Sequence, residues 1–171
     1  MKIQHFALAL IAAGVANMAM AANTIAFTGT VEANTCTVNI DGNTNPTVTL
    51  PTVGVGSLTA TGNTAGATPF TISITGCEAG TTDNVAVRFA AHNPDGTNLG
   101  STGSATNVAV QLLNGSAGST PITFTTGIAQ TAAKTINNGT ASYDLTAQYY
   151  ANAAATAGTV LAVTDYEVIY P

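Results

Sequence analysis

The chain has 171 residues, only 6% of which are charged, and a formal net charge of −5. Charged residues make up about a quarter of a typical soluble domain, so Thr, Asn, Ala and Gly must fill the polar and small positions here. Beyond residue 21, the two cations Arg88 and Lys134 face eight acids, and the net charge becomes 2 − 8 = −6. This balance excludes nucleic-acid binding through a basic patch.

Residues 1–21 are predicted to be a secretory signal peptide. Lys2 supplies a positive start, residues 6–15 form an apolar run, and Ala19-Met20-Ala21 fits the small-residue rule for cleavage. The run is shorter than the roughly 20 residues that span a bilayer, which favours export and cleavage over a membrane anchor. Cleavage after Ala21 leaves 171 − 21 = 150 residues, the size of one ordinary domain.

Within the N-terminal segment 22–33, residues 24–31 carry a strict two-residue alternation that is typical of a half-buried strand. One face carries Ile25, Phe27, Gly29 and Val31, and small or polar residues stand between them. Because the segment lies at the start of the exported chain, it is either an ordinary first strand or a flexible arm. Periodicity alone leaves both interpretations open.

The two cysteines, Cys36 and Cys77, both follow the signal peptide. An even number of cysteines in an exported chain indicates one disulfide. It would close a loop of about 40 residues, for which the chain-entropy estimate is roughly 4 kcal/mol. A metal pair is the competing interpretation, but His92 is the sole histidine after the signal peptide, so we predict no metal site.

Short β-rich segments separated by turn dipeptides predict one all-β domain with strands at sandwich-like spacing. The predicted strands are 47–50, 69–75, 85–90, 107–113, 122–125 and 141–150, and the turn dipeptides are Asp41-Gly42, Asp95-Gly96, Asn114-Gly115 and Asn138-Gly139. The Ala-rich residues 151–157 are predicted to form a loop. Tryptophan is absent, so the core must consist of Val, Ile, Leu, Phe and Ala.

Residues 158–171 are predicted to form a last strand that runs to the chain terminus. One face carries Val160, Ala162, Thr164, Tyr166, Val168 and Tyr170, and the other carries Leu161, Val163, Asp165, Glu167 and Ile169. An apolar strand at the chain end needs neighbours on both edges. A neighbour that this chain lacks must come from another molecule.

Several stretches, in this order along the chain, resemble the major subunit of type 1 fimbriae, a family of pilins assembled by the chaperone–usher route. They are 27–31 followed by Cys36, then 103–113, 136–140 and 147–151, and finally Gly158 with Tyr170. Gly158 is fourteenth from the C-terminus and Tyr170 is penultimate, the two positions of the family's terminal β-zipper motif.

This resemblance implies an incomplete immunoglobulin-like sandwich, residues 34–171, that lacks its last strand. A donor strand from another subunit, residues 22–33, would complete it through Ile25, Phe27, Gly29 and Val31. The acceptor groove and C-terminal zipper would comprise Gly158, Val160, Ala162, Thr164, Tyr166, Val168 and Tyr170. Two departures are the short arm before Ile25 and the polar Thr164 at a groove position where an apolar residue is expected.

The resemblance also implies a function and partners. The chain would be a structural subunit of a fimbrial rod that polymerises by donor-strand exchange, supports adhesion and is exported through the periplasm to the cell surface. Its partners would be further copies of itself, a periplasmic chaperone and an outer-membrane usher. A minor adaptor or tip-associated adhesive subunit is the alternative, although 150 residues leave no room for a separate receptor domain.

Catalytic signatures are absent from the sequence. No serine lies in a Gly-x-Ser-x-Gly elbow, and His92 stands in the turn-like sequence Ala-His-Asn-Pro-Asp-Gly. Asp165 and Glu167 share a strand face, but no pattern builds a carboxylate pocket around them. Asp83 and Asp95 are too isolated for a calcium site. The sequence therefore predicts neither an enzyme nor a cofactor.

Overall fold

Eleven β-strands form two antiparallel sheets within the residues that the computed structural model describes, which are 36–44, 46–77, 84–118 and 120–171. The strands are β1 Thr37–Ile40, β2 Thr64–Thr75, β3 Asn84–Ala91, β4 Pro94–Asp95, β5 Asn98–Gly100, β6 Val108–Asn114, β7 Thr120–Ile122, β8 Ile128–Gln130, β9 Lys134–Thr135, β10 Ala141–Ala151 and β11 Thr164–Ile169. A 3₁₀ turn, Val55–Ser57, is the helical element of the described ranges, and no helix there is long and apolar enough to cross a membrane. The all-β prediction is confirmed.

The first sheet has the order β1-β2-β10-β6-β5-β4, with β7 also paired to β6. Its centre is the long pair β2 and β10, in which Tyr143 lies opposite Ile72 and Leu145 opposite Phe70. These four side chains are buried, whereas the intervening Thr71 is not, so the alternation of β2 turns one face toward the core.

The second sheet has the order β11-β3-β8, with β9 paired to the start of β3. β3 is central because its neighbours bond to both of its edges. Its buried residues Val85, Val87 and Phe89 face the first sheet, and Arg88 points outward. β11 lies at one margin of this sheet, with β3 as its neighbour.

The hydrophobic core lies between the two sheets. Ile72, Ile74 and Leu145 enter it from the first sheet and Val85 and Val87 from the second, all of them fully buried. Burying each such side chain contributes about 1.5–3 kcal/mol, so these residues supply much of the force that holds the layers together.

A buried tyrosine also joins the two sheets by a polar contact. The hydroxyl of Tyr143 on β10 donates a hydrogen bond to the main-chain carbonyl of Val85 on β3, over 2.6 Å. Burial raises the pKa of this hydroxyl above its usual value, although the Thr131 side chain and the Lys134 main chain oppose the shift.

A disulfide of 2.08 Å joins Cys36 and Cys77, as predicted. It ties the start of the described sandwich to the chain just beyond β2. The four predicted turns are also present. Asp41-Gly42 and Asn138-Gly139 have positive φ at both residues, and Gly96 and Gly115 have positive φ as well. In the predicted loop 151–157, residues 152–157 contain no helix, as expected, but Ala151 is the last residue of β10.

Three strand predictions need correction. Residues 47–50 form no strand, and the strand predicted at 122–125 is β7, Thr120–Ile122. The last paired strand is Thr164–Ile169, so Val160 and Ala162 precede it. Residues 159–161 instead bond to the loop at 101–105, which draws this stretch away from β3. The predicted signal peptide 1–21 and arm 22–33 lie outside the described residues.

Candidate strand-binding groove

The outer edge of the C-terminal strand lacks a described main-chain partner. β11 lies antiparallel to β3 with Glu167 opposite Arg88, and the amide of His92 donates to the carbonyl of Val163. The odd-numbered residues therefore direct their main-chain groups toward β3. The even-numbered residues direct theirs outward, and within the described ranges none of them is bonded to another main chain.

Residues 46–53 pack against the same two apolar clusters as the terminal segment 160–168, and on that basis we define them as the opposite rim of a candidate groove. They form no strand; Val48, Leu50 and Val53 are half-buried, and the intervening Thr49 is exposed. The structure shows no hydrogen bond from these residues to another described residue. Pro46 and Pro51 have no amide hydrogen to donate, which is usual in chain segments that stand at a sheet margin. The rim is thus held mainly by its apolar side chains.

The apolar residues of the two rims are only partly covered. Val48 and Leu50 on one side, and Ala162, Tyr166 and Val168 on the other, pack against the main core yet stay half-exposed. Val53 and Val160 pack against a second small cluster around Leu58 and Ala105. An apolar strip therefore runs along the groove, where a further strand could cover it.

Thr164 is the polar residue among the predicted groove positions, and its hydroxyl is already satisfied. It donates a 2.9 Å hydrogen bond to the carbonyl of Ala90 on β3. An apolar segment lying over this position would therefore not leave a buried hydroxyl without a partner. This resolves why a threonine is compatible with a position where an apolar residue was expected.

Charges lie on the outward face of the second sheet. Arg88 forms an ion pair with Glu167, with its Nε 2.6 Å from Oε1, and His92 Nε2 lies 3.0 Å from Asp165 Oδ1. Both acids are odd-numbered residues, on the face opposite to the predicted groove positions. The predicted groove residues are uncharged, so covering them with an apolar strand would not desolvate an ion.

Gly158 and Tyr170 lie beyond the two ends of β11. A Cβ atom at Gly158 would lie 2.7 Å from the carbonyl carbon of Ser104, so the chain here needs a residue without a side chain. Tyr170 remains 37% exposed, and partial burial raises its hydroxyl pKa. The predicted zipper role of both residues stays a prediction.

The start of the terminal segment is anchored by hydroxyl groups. The Ser101 side chain accepts a hydrogen bond from the amide of Leu161, and Ser104 accepts one from the amide of Thr159. The amide of Ala105 donates to the carbonyl of Thr159. These bonds use the odd-numbered side of the segment, so its even-numbered side stays open like that of β11.

The sequence analysis identified neither the rim at 46–53 nor the polar contact between β11 and the residue Thr44 that precedes this rim. The hydroxyl of Tyr166 donates a 2.6 Å hydrogen bond to the carbonyl of Thr44, two residues before the rim. Val48 and Leu50, two residues apart between Pro46 and Pro51, were a usable signal for an unpaired segment at a sheet margin. No sequence signal marks Thr44, because its contribution is a main-chain carbonyl. The proposed donor residues Ile25, Phe27, Gly29 and Val31 lie outside the described residues.

A two-sheet, immunoglobulin-like sandwich with an open apolar groove beside its C-terminal strand defines the pilin class. Residues 25–171 match the sequence profile of the fimbrial protein family, so the chain belongs to that family. It is therefore a structural subunit of a fimbria, a component of the cell surface.

Two relatives illustrate the membership of this family, and one solved structure shares the fold. The major fimbrial subunit SMF-1 of Stenotrophomonas maltophilia is 41% identical over 157 residues, which is 86% of this chain and 91% of that protein. The type-1 fimbrial protein A chain of Escherichia coli K12 is 33% identical over 154 residues, 86% of this chain and 82% of the relative. The P pilus rod subunit PapA has the same fold, with a TM-score of 0.62, 16% identity, and coverage of 80% of this chain and 99% of that one.

Proposed function

We propose that this chain is a rod subunit that polymerises when the N-terminal arm of one copy, residues 22–33, enters the groove of the next. The open even-numbered edge of β11 is the observation that carries this proposal. The addition of a strand to an exposed sheet edge is a general recognition mode, and pilin complementation is among its known examples.

The chemistry of the arm suits this groove. Ile25, Phe27 and Val31 are apolar and alternate with a period of two, so one face of an extended arm would cover the half-exposed strip. Each side chain would gain roughly 1.5–3 kcal/mol on full burial. Main-chain bonds to the edge of β11 add a smaller net gain.

A contact between the arm of one copy and the groove of another is heterologous and does not close on itself, so it builds a filament. Cys36, three residues after the proposed arm in the sequence, is joined by the disulfide to Cys77, just beyond β2. The subunit's role in the filament is then mechanical rather than catalytic. We also propose that a periplasmic chaperone covers the groove before assembly and that an outer-membrane usher receives the subunit.

Deletion of residues 22–32 tests the proposal. Export should continue if the signal peptide is kept, but electron microscopy should show no filaments on the cells. Normal rods from this variant would refute strand donation.

A matched pair of substitutions tests which face of the arm is buried. Gly29→Val places a bulky side chain on the proposed inner face, and Thr30→Val places the same side chain on the outer one. The first should block or slow polymerisation and the second should not, as measured by multimers that resist detergent. Equal effects would contradict the proposed packing.

The alternative of a minor adaptor or tip-associated subunit differs in abundance rather than chemistry, since such a subunit would use the same arm and groove. Mass spectrometry of purified fimbriae measures copy number directly. A rod subunit should be the most abundant protein in the preparation, and an adaptor should be present in few copies per filament.

A further inference from the structure

In the described part of the chain, one side chain of β11 forms a hydrogen bond to a residue that lies two positions before the rim at 46–53. Tyr166 lies in the middle of β11, and its hydroxyl reaches the carbonyl of Thr44 over 2.6 Å, across 122 positions of sequence. Among the described residues, no other hydrogen bond connects residues 36–53 with residues 158–171. This hydrogen bond can therefore restrain the distance between β11 and the rim at 46–53.

The rim at residues 46–53 has little else to hold its distance from β11. Its described main chain makes no hydrogen bond, and it is anchored by Val48 and Leu50 against the core. Apolar contacts are non-directional and define a separation loosely. A hydrogen bond is strongly distance-dependent and directional, so Tyr166 imposes a defined spacing at this end of the rim.

The tyrosine lies on the core side of the gap. Its ring packs against the main hydrophobic cluster, as Ala162 and Val168 do on the same face. Side chains of a strand project away from the plane in which its main chain pairs. The ring thus crosses beneath the plane that an inserted strand would occupy and leaves the edge of β11 accessible.

A strand that pairs on both of its edges requires neighbours about 9.5 Å apart, twice the normal strand spacing. A rim that drifts closer excludes the strand, and one that drifts away loses contact with it. We propose that Tyr166 is a strut that holds the two rims at the width of one β-strand. This inference rests on the proposed function, namely that the groove accepts a strand from a second copy of the chain.

The structure offers a matched control for the strut. Tyr143 also donates a 2.6 Å hydrogen bond to a main-chain carbonyl, that of Val85, but it does so inside the sandwich. Tyr166→Phe and Tyr143→Phe therefore remove the same chemical group and the same kind of bond. They differ in whether the bond crosses the groove.

The experiment measures the binding of a fluorescent peptide with the sequence of residues 22–33 to the full mature chain, under conditions where its own polymerisation is slow. Tyr166→Phe should lower the association rate constant about threefold to tenfold, the factor expected for one net hydrogen bond. Tyr143→Phe should lower the melting temperature and leave that rate constant unchanged. Equal rate constants for Tyr166→Phe and the parent would overturn the strut.

A second measurement needs no variant and covers the case in which Tyr166→Phe does not fold. In the unaltered chain, nuclear magnetic resonance of labelled tyrosine should show the Tyr166 hydroxyl protected from exchange both before and after the peptide binds. Loss of protection on binding would identify a latch that opens and would overturn the strut. Failure of the parent chain to bind the peptide at all would instead refute the proposed function.

Discussion

Gly158 packs directly against the main chain of Ser104, where an added Cβ atom would lie 2.7 Å from the carbonyl carbon. Contacts shorter than 3 Å are too close for a real Cβ atom, and two of the three nearest atoms, the Ser104 carbonyl carbon and the Ala105 nitrogen, are main chain that cannot rotate away. The close approach lets Ser104 and Thr159 exchange hydrogen bonds. These bonds position the start of the terminal segment that leads into β11.

Gly158→Ala should destabilise the subunit by about 1–3 kcal/mol, the range for an overpacked site. Gly54→Ala is the matched control, since no atom lies within 4 Å of the corresponding Cβ and its φ of −75° suits any residue. Urea unfolding of the two variants and the parent measures the difference. A parent-like midpoint for Gly158→Ala would show that this crossing relaxes without cost.

Removal of the disulfide should destabilise the sandwich strongly. Cys36 and Cys77 are 41 residues apart, and replacement of both by Ser should lower the free energy of unfolding by about 2–5 kcal/mol. The unaltered chain in a reducing agent should unfold at the same urea concentration as the double variant. If reduction leaves the parent's midpoint unchanged, the bond contributes little to stability.

Tyr143 should make the fold sensitive to alkaline pH. Burial raises its pKa in the folded chain, so the folded state holds the hydroxyl proton more tightly than the unfolded state does. This contribution to stability is fully present below the unfolded pKa of about 10 and is lost as the pH rises through the folded pKa. Thermal unfolding at a series of pH values up to about 11 should show a smaller alkaline loss for Tyr143→Phe than for the parent.

Sequence periodicity predicted β3, β6, β10 and the second half of β2, but not which strands pair with them. β2, β3, β6 and β10 have enough residues to reveal a two-residue alternation or an apolar run. The strands β4 and β9 have two residues each and are too short to show any period. β11 begins only at Thr164 because the preceding residues 158–161 contact the loop at 101–105 instead of β3. This is a tertiary contact, which no local sequence pattern reveals.

Only the C-terminal wall of the groove was predictable, because only this wall shows a sustained local sequence pattern. Alternation in residues 160–170 shows that one face needs cover, and this conclusion requires no knowledge of what lies opposite. The second rim arises because residues 46–53 are brought beside β11 by the fold. The bond from Tyr166 to Thr44 likewise joins positions that share no local pattern.

The rim at 46–53 should contribute to filament strength through Leu50. This side chain is half-buried against the core, whereas its neighbour Thr49 is exposed. Leu50→Asn should make the free energy of donor-strand binding less favourable by about 1–2 kcal/mol. Part of the apolar surface that a donor strand covers is lost, and an amide is desolvated in its place. Thr49→Asn introduces the same amide on the outward face and is the control.

Isolated filaments are heated in detergent, and the temperature at which multimers dissociate should fall for Leu50→Asn but not for Thr49→Asn. Equal dissociation temperatures for the two variants would mean that residues 46–53 do not form a wall of the strand-binding groove.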